Sequence, residues 1–202
     1  MRSVKFSMLF LMFSVFVSAQ TLENLDKIAP FNEGLAAVQK NNQWGFINTD
    51  GELVINFRSD LTQSSENENY PVFKDNRSLI TRQKNGITYF GYIDETGATV
   101  IEPQYLNATN FKNGRAIVLK LDKIIAGQND ALGKNVVFYE YNEVLISPEG
   151  KIIAFLSQEA KNIVLDKDYL RNPPPVTFKQ LSPSLFAQMN KSKHWQIKKI
   201  ED

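Results

Sequence analysis

The sequence predicts an all-β protein. It reads as an array of antiparallel β-hairpin or meander repeats, about three units long, with a short C-terminal mixed segment containing one short helix. Three observations carry this reading. A phenylalanine followed three residues later by Gly or Asn recurs at Phe31 and Gly34, Phe73 and Asn76, and Phe111 and Gly114, each time ahead of an apolar run. An aromatic-glycine-aromatic-isoleucine stretch then follows as "WGFI" from Trp44 and Gly45, and as "FGYI" from Phe90 and Gly91. Finally, a four-residue turn closes each copy on Gly51, Gly97 or Gly150.

In chain order, the first element is a targeting segment. "MRSVKF" supplies Arg2 and Lys5, "SMLFLMFSVFV" is apolar throughout, and "VSA" places Val17 and Ala19 at the specificity positions of a cleavage site. The apolar run falls short of the ~20 residues that a membrane-spanning helix needs. Residues 1–19 are therefore expected to be a signal peptide that leaves no membrane span after cleavage. Loss of Arg2 and Lys5 takes the formal net charge from +1 to −1, and neither value suggests a nucleic-acid footprint. With 0 cysteines, disulfide stapling, thiol catalysis and thiolate metal sites are excluded, as is lipid attachment at an N-terminal cysteine.

The repeat domain is expected over residues 20–157. Gly34, Asn76 and Gly114 sit where the chain needs positive φ, which Gly and Asn tolerate, so each marks a left-handed corner leading into a strand. The closing turns read Asn48-Thr49-Asp50-Gly51, Asp94-Glu95-Thr96-Gly97 and Ser147-Pro148-Glu149-Gly150. Each opens on a side chain that accepts hydrogen bonds from the turn backbone. Each closes on glycine, as a type I turn with a glycine bulge requires. Gly45 and Gly91 read as points of close backbone approach or a bulge. "RSDLTQSSENENY" between the first two copies reads as a surface loop, and the insertion over 120–135 as an extended hairpin arm or a mobile loop.

The stretch "FNEGLAAVQKNNQWGFINTDGELVI" resembles the WG (KWG) repeat of bacteria, in which an aromatic and a Glu-Gly corner precede a small-apolar strand, Trp-Gly-aromatic-Ile and a glycine-closed turn. The second copy is similar and ends on the family-like "VIEPQY". The third departs, with Glu143 and Val144 where Trp and Gly belong. The resemblance spans roughly residues 28–155 and implies a stack of antiparallel β units. Because such a unit cannot bury its apolar face alone, neighbours must stack, and the degraded third copy is expected to cap the array.

Residues 158–202 are expected to hold one further strand at "KNIVLD" and a stiff spacer at Pro173, Pro174 and Pro175. A short helix is expected next, with Ser182 as N-cap and Pro183 at its first position. The basic-aromatic tail "KSKHWQIKK" is expected to be solvated.

Candidate chemistry is sparse. Trp44 and Phe90 hold one repeated position, so both read as packing residues rather than a ligand platform. Asp50, Glu52, Asp94, Glu95, Glu102 and Glu149 supply carboxylates, but most fall in turns that explain them without catalysis. His194 is the only histidine, too few for the usual metal site. No catalytic, cofactor-binding or metal residue is expected. The sequence thus favours a non-enzymatic, exported binding or scaffolding module of a bacterial envelope, periplasmic or extracellular. Its expected partner is a protein or an envelope polysaccharide such as peptidoglycan. Two alternatives stand beside it: an envelope glycan hydrolase with paired surface carboxylates, and an accessory subunit docked on a larger complex through an exposed apolar patch.

Overall fold

The computed structural model describes residues 22–63, 69–129, 133–190 and 192–200, and the expected signal segment lies outside them. These residues form strands and connections only, in four stacked antiparallel sheets. The first layer contains β1 (Lys27–Ile28), β2 (Ala36–Lys40), β3 (Gln43–Ile47) and β4 (Leu53–Arg58). The second contains β5 (Ser78–Lys84), β6 (Ile87–Ile93) and β7 (Thr99–Tyr105). The third is built on a long hairpin, β8 (Ala116–Asn129) and β9 (Lys134–Ile146). Both β10 (Ile152–Phe155) and β11 (Lys161–Ile163) line the other edge of β9. The fourth contains β12 (Phe178–Gln180), β13 (Leu185–Met189) and β14 (Trp195–Lys199).

Local chemistry sets the corners. Glu33 and Gly34, Asp75 and Asn76, and Asn113 and Gly114 all have positive φ. The flanking residues Asn32 and Leu35, Lys74 and Arg77, and Lys112 and Arg115 exchange backbone hydrogen bonds of 2.8–3.2 Å. Each corner is thus a two-residue turn of type I′ geometry, which requires positive φ at both central positions. The closing turns are equally regular. Asn48 Oδ1 accepts from the Asp50 and Glu52 amides, Asp94 Oδ1 from those of Thr96 and Ala98, and Ser147 Oγ from those of Glu149 and Lys151. Gly51, Gly97 and Gly150 close them at φ of 80°, 82° and 80°.

Each layer boundary has its own core. Ala37, Phe46 and Ile55 of the first layer meet Leu61, Phe73, Ile80 and Ile93. Leu79, Tyr92 and Ile101 of the second meet Phe111, Ala116, Val118 and Ile146. Ile117 and Leu145 of the third meet Phe178 and Phe186 of the fourth. The corner phenylalanines are plugs that each layer drives into the one before it. Phe73 meets Phe46 edge-on with centroids 4.7 Å apart, and Phe111 meets Tyr92 likewise at 4.8 Å. The closing turns ride on the preceding layer too: a Cβ on Gly97 would lie 3.3 Å from the Ile55 side chain, and one on Gly150 3.3 Å from Ile101.

Among the described residues no earlier layer lies behind the Gly51 turn, and a Cβ there meets nothing within 4 Å. Gly51→Val is therefore expected to cost only the backbone strain of a β-branched residue at positive φ, about 1–3 kcal/mol. Gly97→Val adds displacement of Ile55 and should melt lower. Wild-type urea midpoints for both variants would refute the turn assignment.

Gly45 and Gly91 lie beside double register shifts in the neighbouring strands β4 and β7. A Cβ on Gly45 would stand 2.8 Å from the Ile55 carbonyl oxygen, and one on Gly91 2.3 Å from that of Ile101. In the third layer β10 pairs in line from Phe155–Val144 to Ala154–Leu145, without the second shift. The valine at 144 fits there because the bulge that demands glycine is absent.

Three expectations need correction. Residues 185–189 are strand β13, not a helix, and pair on both sides with β12 and β14. The Ser182 hydroxyl does accept from the Leu185 amide at 3.1 Å, the bond an N-cap makes, but here it closes a turn into a strand. Within the basic-aromatic tail, Trp195–Lys199 forms strand β14, whose side chains remain largely exposed to solvent. The third copy does not end the stack, since the fourth sheet covers it. Lastly, the inter-copy loop is anchored at its start, with Leu61 buried and Arg58 forming a bidentate pair with Asp60 at 2.6 and 2.8 Å. The 120–135 insertion lengthens the β8–β9 hairpin, apart from residues 130–132, which lie outside the described ones.

The fourth sheet follows the repeat register. Val38 pairs with Gly45, Ile80 with Gly91, Val118 with Val144, and Gln188 with Gln196. Trp195 thus stands where Trp44 and Phe90 stand, and Leu181 where the plug phenylalanines stand.

Candidate functional site

Two of the turn carboxylates are engaged inside their own turns. Asp94 is occupied by its own turn, accepting from the Thr96 hydroxyl at 2.6 Å, and Glu149 accepts from the Ser147 hydroxyl at 2.7 Å. These hydroxyl bonds, reinforced by turn amides, hold both carboxylates below their ordinary pKa range. A glycosidase general acid needs the opposite shift, upward by burial or a neighbouring charge. Glu52 accepts from the Asn48 amide at 2.9 Å, and Glu102 pairs with Arg82 at 2.9 Å on the surface. Among the described residues, no three His, Asp or Glu side chains cluster so as to hold a metal ion.

Two sets of carboxylates have structural roles that the sequence reading missed. At the corners, Glu33 accepts from the Asp75 and Asn76 amides at 2.8 and 3.0 Å, and Asp75 accepts from the Gly114 amide at 2.5 Å. Successive amides in a left-handed turn form a small concavity that favours an anion. Each acidic corner residue thereby fastens the next corner. The ladder stops at the fourth corner, where Asn113 carries no charge and Pro183 no amide hydrogen; there Arg115 donates to the Pro183 carbonyl at 2.9 Å instead.

The second is Glu143, whose side chain is 1 % exposed. It occupies the tryptophan position of the third copy, opposite Leu119 on β8 as Trp44 is opposite Gln39. Its Oε2 accepts from the Thr177 and Phe178 amides at 2.8 and 3.2 Å, and its Oε1 from the Thr177 hydroxyl at 2.5 Å and Lys161 Nζ at 3.1 Å. A buried carboxylate with four donors clamps the start of the fourth layer onto the third. The replacement of Trp by Glu in the third copy is the only trace of this clamp in the sequence.

Trp44 is half-buried against the core between the first two layers, with Lys27 Nζ 5.9 Å above its ring. Trp44→Ala is expected to cost about 2 kcal/mol of stability, less than a fully buried aromatic. Urea melts check this, and an unchanged midpoint would remove its packing role. Phe90 is buried between the second and third layers.

What the array presents outward is a groove at each layer boundary. The first brings together Trp44, Tyr70, Gln63, Asn69 and Lys27. The second brings together Tyr89, Tyr139, Gln104, Asn85, Lys84 and Arg82. The third is lined by Trp195, Gln180, Asn110, Lys112 and Lys179, among others. In the second groove, burial and the neighbouring Tyr139 push the Tyr89 hydroxyl above its ordinary pKa, so this phenol stays neutral and able to donate. Each groove combines aromatic ring, amide and cation, a set suited to binding polar ligands with flat apolar faces.

Comparison with curated proteins and with solved structures finds no match. The WG containing repeat matches three stretches, residues 24–44, 44–77 and 90–123. The second and third begin on Trp44 and Phe90 and run through the next corner, so the family unit straddles two sheets. The plug contacts Phe46–Phe73 and Tyr92–Phe111 each fall inside one matched stretch, whereas the corner ladder ties successive stretches together. With its aromatic-glycine strands, glycine-closed turns and stacked β layers, the chain is a WG repeat-containing protein.

Proposed function

We propose that this protein is a non-catalytic, exported binding module of a bacterial envelope that recognises a polymeric glycan through its inter-layer grooves. The observation that carries the reading is the recurrence of one chemistry, aromatic ring with amide and cation, at three successive layer boundaries. A repeated site suits a repeated ligand, because linked weak sites gain avidity from effective concentration. Aromatic rings stack on the C–H faces of sugars, while the amides and lysines take hydroxyl and carboxylate groups. The family supports the coarser part of this reading, a repeat-based binding module. The signal-peptide pattern supports export.

Calorimetric titration of the purified protein with solubilised peptidoglycan strands of graded length tests it. Longer strands are expected to bind more tightly than short ones. Tyr139→Ala should weaken binding several-fold without moving the melting midpoint. Absence of binding, or an affinity independent of strand length, would overturn the proposal, and release of new reducing ends would overturn its non-catalytic part.

A further inference from the structure

The two ends of the stack are complementary. At the first two internal boundaries, a cross-strand pair on the forward face of one layer receives the corner phenylalanine of the next. At the third, the pair meets Phe178 and Phe186, and Leu181 at the plug position is exposed. The forward pairs are Ala37–Phe46, Leu79–Tyr92 and Ile117–Leu145, all buried. In the fourth layer the equivalent pair is Ala187–Ile197, and Ile197 is 61 % exposed, flanked by Leu185 and Met189, both also exposed. The opposite end shows the converse. Phe31 holds the position of the fully buried plugs Phe73 and Phe111 yet is 51 % exposed. Ile28, equivalent by register to the buried Leu61 and Ala108, is 68 % exposed. One end carries a plug without a socket, and the other a socket without a plug. Repeat stacks normally end in polar faces for solubility, and this one leaves apolar side chains at both ends.

We propose that copies of this chain associate head to tail, with Phe31 and Ile28 of one copy seated on Ile197, Leu185 and Met189 of the next. The occupant is a second copy because the contact continues an interface that the chain already makes internally, with the same pairing positions and the same plug. Such an interface is heterologous. The two surfaces differ, so association extends into rows unless the rotation closes a ring.

Light scattering and sedimentation velocity across a wide dilution series of the processed protein test this. A mass rising above that of one chain with concentration is expected. Phe31→Ser and Ile197→Glu should each abolish the rise, and both positions are exposed enough to leave the melting midpoint in place. An equimolar mixture of the two variants retains one intact plug and one intact socket, so it should give a species of two chains and nothing larger. If either variant melts early, Ile28→Ser and Met189→Glu replace them in the same scheme. A wild-type protein that stays monomeric throughout overturns the proposal. So does association that survives Phe31→Ser, which would mean pairing of like ends, and so does failure of the mixture to form the two-chain species.

Discussion

Glu143→Ala is expected to release the fourth layer while leaving the first two folded. The substitution removes an acceptor for two backbone amides, a hydroxyl and Lys161 in a site that excludes water. Lys161 is 44 % exposed and can rehydrate, whereas the Phe178 amide is buried with its residue and cannot. Removing one partner of a buried charged network costs about 3–5 kcal/mol, because the remaining groups stay desolvated. Hydrogen exchange resolves where the loss falls. Protection should fall at Phe178–Gln180 and along β13, and persist in β2, β3, β5 and β6. Glu143→Gln, which keeps one acceptor oxygen, should lie between alanine and wild type. Unchanged protection in Glu143→Ala would refute the clamp.

Gly91→Ala should be the most damaging single-methyl change in the array. The new Cβ would fall 2.3 Å from the Ile101 carbonyl oxygen, 2.6 Å from Pro103 N and 2.8 Å from the Glu102 carbonyl carbon. All three are backbone atoms, so no rotamer change relieves the contact. The bulge in β7 must open, and Tyr92 and Ile101 in the core below must shift with it. Overpacking of this kind costs about 3 kcal/mol. Gly45→Ala meets one backbone oxygen at 2.8 Å and should cost less. Equal urea midpoints for Gly91→Ala and wild type would show that the strand can move aside freely.

The two predictions mark the limits of what the sequence discloses. The position of Gly91 was legible because glycine recurs there beside an aromatic in two copies. The reason for it lies in a neighbouring strand's bulge, which no residue of its own strand encodes. Glu143 was read as a lapse from the repeat, since a buried carboxylate is recognisable only by the donors around it. Those donors come from residues 18, 34 and 35 positions away. The fourth layer escaped notice for a related reason. Its corner uses Pro183, which cannot take positive φ, and its aromatic strand reads Trp-Gln-Ile rather than Trp-Gly-aromatic. Ser182 and Pro183 are also good helix-start residues, and the local signal is the same for a capped helix and for a turn into a strand.

Of the site, the sequence supplied the aromatic residues but not their grouping. Trp44 and Tyr70 share a groove with Lys27, and Tyr89 and Tyr139 share another, although 26 and 50 residues separate the members of each pair. Spacing along the chain carries no mark of that.

By itself the sequence determined the corners, the closing turns and the all-β class. These depend on φ preferences and on hydrogen bonds spanning a few residues, which side-chain identity controls directly. The tertiary structure alone decided that 185–189 is a strand, that Glu143 is a clamp and that the stack has a fourth layer with an open apolar end. Helix and strand propensities differ by less than burial between two sheets contributes, so long-range packing overrode the local signal wherever the two disagreed.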